Sequence, residues 1–155
     1  NGGLNLNARY KDFDFAAYFN GQFDFYVYNA TDNAFFTKSA LLIGKNVTAA
    51  VLTTTENPAS SVSVSSRFLE KADFVRLTSA SIGYNLPLGE NSFLNSFRLS
   101  LIGQNLFLIT GYSGLDPEIS TNTGNLNASA IPTAGIDYAS YPKPRTVSFG
   151  LSASF

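Results

Sequence analysis

The sequence contains no cysteine and no histidine in 155 residues. Without cysteine there is no disulfide framework and no thiolate metal site, and without histidine the usual general base and the commonest zinc ligand are missing. These absences exclude much of enzyme chemistry. We therefore expect a chain that is not an enzyme and that has no metal or cofactor.

Charge is also scarce, and long apolar runs are missing. Charged residues make up 14% of the chain, the net charge is -1, and no stretch is rich in Lys and Arg, so we expect no nucleic-acid partner. The best candidate for a transmembrane helix, Leu99–Ile109, falls short of the ~18 to 20 apolar residues required. The chain starts at Asn1 without a signal-peptide pattern, so it is either a processed chain or a fragment.

What the sequence does contain is finely interleaved apolar and polar residues, with 45% hydrophobic residues but a mean hydropathy of only +0.04. The pattern is clearest in residues 145–155, where small polar residues alternate with Val147, Phe149, Leu151, Ala153 and Phe155. At ~3.3 Å per residue and ~45° tilt this segment rises about 26 Å, close to the apolar band of outer-membrane barrels. It therefore predicts a strand that spans the outer membrane in contact with lipid.

Four further segments show similar alternation, and we predict five spanning strands, at about 3–10, 13–27, 72–86, 96–109 and 145–155. Arg98 has the polar phase of its strand, which predicts that it faces the barrel lumen, because arginine on the lipid face is costly. Arg76 shares the phase of apolar residues in its strand. Strict alternation would put Arg76 on the lipid-facing side, where arginine is costly. We therefore predict that Arg76 lies above the membrane band.

The connections between these strands alternate in length. Lys11–Asp12 and the region 87–95 are short, whereas residues 28–71 and 110–143 are long. Outer-membrane barrels have short periplasmic turns and long extracellular loops, so we expect the two long segments outside and the C-terminus in the periplasm. The first long segment could contain a short helix capped by Thr31 or Asp32. Val62–Ser66 could be a brief strand or part of a loop.

Five strands cannot close a membrane barrel, because the smallest have ~8, and an open edge in lipid leaves backbone groups unsatisfied. Either the rest of the barrel lies upstream in the same gene product, or several chains build one barrel together. The two long, unequal loops and the unlike strand sequences favour the first arrangement. We expect an all-β transmembrane antiparallel barrel, of which this chain supplies the last strands.

Several segments together resemble the late barrel strands and last loop of SusC/RagA-type TonB-dependent transporters. The matching segments, in order, are FLEKADFVRL at 68–77, GYNLP at 83–87, GQNLF at 103–107, GYSGLDPE at 111–118, GIDY at 135–138 and YPKPRT at 141–146. The resemblance implies a plugged barrel of about 22 strands that imports glycan oligosaccharides or, in some members, peptides. It also implies TonB-ExbB-ExbD as the energy source, through upstream segments, and a SusD-like surface lipoprotein as partner.

The end of the chain resembles the C-terminal signal that the barrel-assembly machinery reads. The residues that carry this resemblance are Ser148, Gly150, Leu151, Ala153 and Phe155. The alternative is an ordinary edge strand that ends in phenylalanine. We expect the assembly role, because the other features also indicate a barrel.

Five residues of the last long segment are candidate contacts to the partner or substrate: Tyr112, Asp116, Glu118, Tyr138 and Tyr141. The tyrosines could stack on sugars or pack within the loop. The two carboxylates could form an acid-base or calcium pair, although the intervening proline favours a shaped turn. Besides glycan import, peptide import, a passive porin, an adhesive barrel and a barrel enzyme with histidine elsewhere stay open as alternatives.

Overall fold

The computed structural model describes residues 1–55, 57, 63–89, 92–119 and 135–155. These form two compact units. The strand unit comprises Asn1–Phe23, Phe74–Thr110 and Lys143–Phe155, and the loop unit comprises Asp24–Asp73 and Gly111–Pro142. Within the described ranges, no helix has both the length and the apolar character needed to cross a membrane.

Strands dominate both units. The elements, in chain order, are β1 Gly2–Tyr10, β2 Phe13–Gln22, β3 Tyr26–Asn29, α1 Ala30–Phe35, α2 Ser39–Leu42, 3-10 turns at Ala49–Thr53 and Ser66–Phe68, β4 Leu69–Lys71, β5 Phe74–Asn85, β6 Ser96–Thr110, β7 Ile136–Asp137 and β8 Thr146–Ser154. The strand unit contains one antiparallel sheet in the order β1-β2-β5-β6-β8. The loop unit contains a small sheet in the order β4-β3-β7.

Directly paired residues share a face, so the register of the five-stranded sheet sorts its side chains into two faces. The apolar face carries eleven large hydrophobic side chains that are each 39% to 69% exposed: Leu4, Leu6, Phe13, Phe15, Ile82, Leu101, Phe107, Ile109, Val147, Phe149 and Leu151. The polar face carries mostly small or polar residues. A continuous apolar sheet face is unfavourable in water, but it suits contact with lipid.

A tight turn at Lys11–Asp12 joins β1 to β2, as the sequence predicts, and Lys11 adopts a positive φ of 52°. The segment that follows was predicted as one strand over 13–27, and this is wrong. β2 ends at Gln22, Asp24 has a φ of 58°, and β3 pairs with β4 and β7 in the loop unit. The left-handed backbone at Asp24 breaks the extended chain, which alternation alone does not reveal.

A β-bulge at Thr78 overturns the predicted phase of Arg76. Leu77 pairs with Phe19 and Ser79 pairs with Tyr18, which leaves Thr78 between them without a register partner. The extra residue inverts the alternation upstream of the bulge. Arg76 therefore lies on the polar face opposite Asn20, is only 3% exposed, and has its guanidinium 5.8 Å from the Phe74 ring centroid.

The loop unit has an apolar interior, unlike the sheet. Val27, Ala72 and Tyr112 form one buried cluster, and Phe36, Val51 and Phe68 form a second. Two short helices replace the single predicted one, and the side chain of Asn29, rather than Thr31 or Asp32, caps α1 by accepting a hydrogen bond from the Asp32 amide at 2.8 Å. Val62 of the predicted 62–66 strand lies outside the described residues, residues 63–65 are not in a strand, and Ser66 begins a 3-10 turn.

Candidate functional site

The polar face of the strand unit contains a charged network near the β1–β2 turn. Arg98 of β6 donates to both carboxylate oxygens of Asp14 on β2, with Nη2 2.7 Å from Oδ2, and Arg98 Nη1 lies 3.0 Å from Asn85 Oδ1. A Cβ added at Gly83 would overlap the guanidinium, so glycine provides its space. Arg98 thus has the polar phase that the sequence predicts and a bidentate carboxylate partner.

The residues of the proposed assembly signal follow the two faces of β8. Ser148 and Gly150 lie on the polar face, where a Cβ at Gly150 would overlap the Ser100 hydroxyl, whereas Leu151 and Ala153 lie on the apolar face. Phe155 is 77% exposed, and its ring centroid lies 5.6 Å from that of Phe93 in the β5–β6 connection. The last strand therefore ends in an exposed aromatic pair.

In the loop unit, three polar side chains join the two long connections. Glu70 accepts hydrogen bonds from the Ser113 amide at 2.9 Å, from the Ser113 hydroxyl at 2.7 Å and from Asn29 Nδ2 at 3.1 Å. Asn29 Nδ2 also lies 3.2 Å from Ser113 Oγ. Since Asn29 and Glu70 belong to the first connection and Ser113 to the second, this polar tie fixes one connection against the other.

A buried pair adds a second link, although this one lies within the second connection. The Tyr112 hydroxyl donates to Asp137 Oδ2 at 2.7 Å, and both residues are at most 5% exposed. Burial, together with the hydrogen bond to Asp137, raises the pKa of Tyr112 above its ordinary range. Tyr112 therefore stays neutral and packs against Val27 and Ala72.

Asp116 and Glu118 lie in a turn around the fully buried Pro117. Asp116 is 4% exposed, and its Oδ1 accepts a hydrogen bond from the Glu118 amide at 3.0 Å. Among the residues that the structure describes, no group of three or more carboxylates could hold a metal ion. Tyr138 and Tyr141, in contrast, are 56% and 88% exposed.

A pocket of about 270 Å³ opens between the two connections, within the loop unit. Its lining comprises Asn29, Thr31, Asp32, Phe35, Thr48, Ser113, Gly114, Leu115, Asp137, Ala139 and Ser140. Sequence reasoning identified neither this pocket nor the polar tie beside it. The only local indication was Asn29 ahead of a helical segment, because asparagine is a favoured N-cap.

Comparison with known proteins gives consistent relatives, although no family model matches the chain. TonB-dependent receptor P3 of Formosa agariphila is 35% identical over 161 residues, and SusC of Bacteroides thetaiotaomicron, also a TonB-dependent receptor, is 30% identical over 162 residues. Each match covers 99% of this chain but only 16% and 15% of the relative. The chain thus spans about a sixth of the length of these receptors.

The fold gives the same result. The RagAB peptide importer in its closed-closed state superposes with a TM-score of 0.74 over 99% of this chain, at 22% identity and 17% coverage of the solved chain. The five-stranded sheet is accordingly part of a transmembrane antiparallel β-barrel, which confirms the predicted fold class.

Such a barrel piece, matched from end to end by outer-membrane receptors, defines the class as TonB-dependent receptors. Within this class, the chain belongs to the SusC/RagA type. Its relatives are receptors and transporters rather than enzymes, which confirms the expectation drawn from the sequence.

Proposed function

We propose that this chain forms part of an outer-membrane importer that takes up oligosaccharides, driven by TonB-ExbB-ExbD through other segments of a longer protein. The observation that carries the proposal is the end-to-end match to TonB-dependent receptors, including a SusC. The exposed apolar face supports the membrane location, since its large hydrophobic side chains would otherwise face water.

In this proposal the loop unit lies outside the cell and the C-terminus lies in the periplasm. The support is the difference in length between the connections, two residues at Lys11–Asp12 against the 50-residue span from 24 to 73. A SusD-like lipoprotein would then meet the loop unit. Tyr138 and Tyr141 are the exposed candidates for contact with it or with substrate, whereas Tyr112, Asp116 and Glu118 would act by shaping the loop.

The same orientation makes β8 the strand presented to the barrel-assembly machinery. Ser148, Gly150, Leu151, Ala153 and Phe155 would form the recognised segment. The exposure of Phe155 supports this role, because a recognition residue must be accessible.

Peptide import is the second candidate for the cargo. The specific observation in its favour is the superposition with RagAB, which is a peptide importer. A passive porin or an adhesive barrel would have similar strand chemistry but would need no energy source.

The test is uptake by the full-length receptor in a strain that lacks it. The strain is grown on a panel of oligosaccharides and of peptides as sole nutrients. The receptor should restore growth only on nutrients of the class that it imports, and only when TonB is present. Restored growth without TonB would identify a passive pore and overturn active import. Growth on peptides alone would replace the glycan assignment with the second candidate.

A further inference from the structure

The pocket between the two long connections contains one charged side chain that has no hydrogen-bond or ion-pair partner among the residues that the structure describes. Most polar side chains in its wall are already used: Asn29 and Ser113 bond to Glu70, while the Thr31 hydroxyl donates to the Asp137 carbonyl and accepts from the Ala139 amide. The half-buried Asp32 carboxylate, however, makes no hydrogen bond or ion pair with any described residue. A partly buried carboxylate in this state favours a ligand that donates hydrogen bonds.

The charges that line the pocket determine whether it favours cationic or anionic ligands. Its described lining contains two carboxylates, Asp32 and Asp137, and no Lys or Arg. Burial and the nearby charge of Glu70 raise the pKa of Asp32. Arg67, whose charge opposes that rise, has its guanidinium 4.4 Å from the Phe36 ring centroid. The pocket is therefore electronegative, which disfavours anionic ligands and favours cations.

The remaining lining indicates an organic cation rather than a metal ion. Phe35 is 51% exposed and Leu115 is 70% exposed, and both border the pocket. The face of an aromatic ring attracts cationic groups, and apolar walls suit the carbon atoms attached to them. Calcium, by contrast, takes six to eight oxygen ligands, and one free carboxylate supplies at most two.

We propose that this pocket binds a primary ammonium group of the imported cargo, with the Asp32 carboxylate as its counter-ion and Phe35 beside it. The inference rests on the proposed import function, but it concerns recognition rather than transport. Two cargo sources share this chemistry: the amine of a peptide and the amine of an amino sugar. A neutral or acidic oligosaccharide lacks the group.

The experiment measures binding to the purified full-length receptor by calorimetry, using two pairs of probes. One pair is a tetrapeptide with a free N-terminus and its N-acetylated form, and the other is a glucosamine oligomer and the corresponding N-acetylglucosamine oligomer. We expect at least one free amine to bind about tenfold more tightly than its acetylated partner, the difference expected for one charge-assisted hydrogen bond. The pair that shows the difference identifies the source.

Asp32→Asn should abolish that tenfold preference, because the amide keeps the shape of the side chain and loses the charge. Asp24→Asn is the matched control, since it removes one carboxylate from the same unit, has a 91% exposed side chain and does not line the pocket. Hydrogen exchange of the loop unit in both variants checks that the unit is intact.

Equal binding of free and acetylated probes by the unaltered receptor would overturn the proposal. So would an equal loss in Asp24→Asn and Asp32→Asn, or calcium binding that depends on Asp32 without any amine preference. Uptake is scored separately. An amine preference without TonB-dependent uptake would reject the import function alone, and uptake without an amine preference would reject only this site.

Discussion

Two valines show how differently the two units of this chain are built. Val147 on the apolar face of the strand unit is 69% exposed, whereas Val27 in the loop unit is 1% exposed. The strand unit exposes a continuous apolar face and places Arg98 on its other face, while the loop unit contains two buried apolar clusters. One sequence therefore encodes surfaces for two solvents, lipid around the sheet and water around the connections.

The largest expected effect on stability is in the buried core of the loop unit. Tyr112→Ala should destabilise this unit by about 3 to 5 kcal/mol, because it removes a buried ring and leaves Asp137 Oδ2 without the hydroxyl that donates to it. Hydrogen exchange in the full-length receptor measures the loss of protection. Tyr138→Ala, at an exposed tyrosine of the same unit, should change little, and equal losses in both variants would mean that Tyr112 is not a core residue.

The strand unit should respond to charge according to face. Phe149→Arg places a cation on the apolar face and should cost about 2 to 4 kcal/mol if the site is near the bilayer midplane, whereas Ser148→Arg, on the polar face, should be milder. Heat-modifiable mobility of the full-length receptor in gels reports the folded barrel. Indistinguishable folding of the two variants would contradict the assignment of faces.

The polar tie in the loop unit should make a smaller contribution. Glu70→Ala removes the acceptor for Asn29 and for two Ser113 donors, which we expect to cost about 2 kcal/mol because the groups are only partly buried. The loss should appear as faster proteolysis of both long connections. If only one connection becomes sensitive to protease, the tie does not join them.

At neutral pH the ionisation of Tyr112 has no effect, but it should appear in alkali. Its folded pKa lies above the unfolded value of about 10, so its stabilising contribution is complete below about pH 10 and is lost as the pH rises further. The stability of the loop unit, measured by hydrogen exchange or proteolysis between pH 9 and 11, should therefore fall more steeply with pH above pH 10. Tyr112→Phe should remove the part of this dependence that belongs to Tyr112.

The sequence predicts the strand unit well because a lipid-facing strand must alternate at every second residue. β1, β6 and β8 lie at Gly2–Tyr10, Ser96–Thr110 and Thr146–Ser154, against predicted ranges of 3–10, 96–109 and 145–155. Lipid contact imposes a rule on each residue separately, so the pattern is visible in the sequence without knowledge of the partner strands.

The loop unit follows no such rule. Asn29 reaches Ser113 across 84 residues and Glu70 across 41, and no local spacing relates these positions. The pocket between the two connections depends on the same long-range packing, so its residues could not be grouped in advance. The two errors in the predicted spanning strands, the end of β2 and the phase of Arg76, both come from single backbone irregularities at Asp24 and Thr78.

The bulge at Thr78 also bears on how such a strand can change in length over evolution. A one-residue insertion or deletion in a regular spanning strand would turn every residue beyond it inside out, sending polar side chains such as Arg76 into lipid. Thr78 is the extra residue of the bulge, and it has no partner in β2, since Leu77 pairs with Phe19 and Ser79 pairs with Tyr18. Position 78 is therefore where β5 can lose a single residue relative to β2 while Leu77 and Ser79 stay on their present faces.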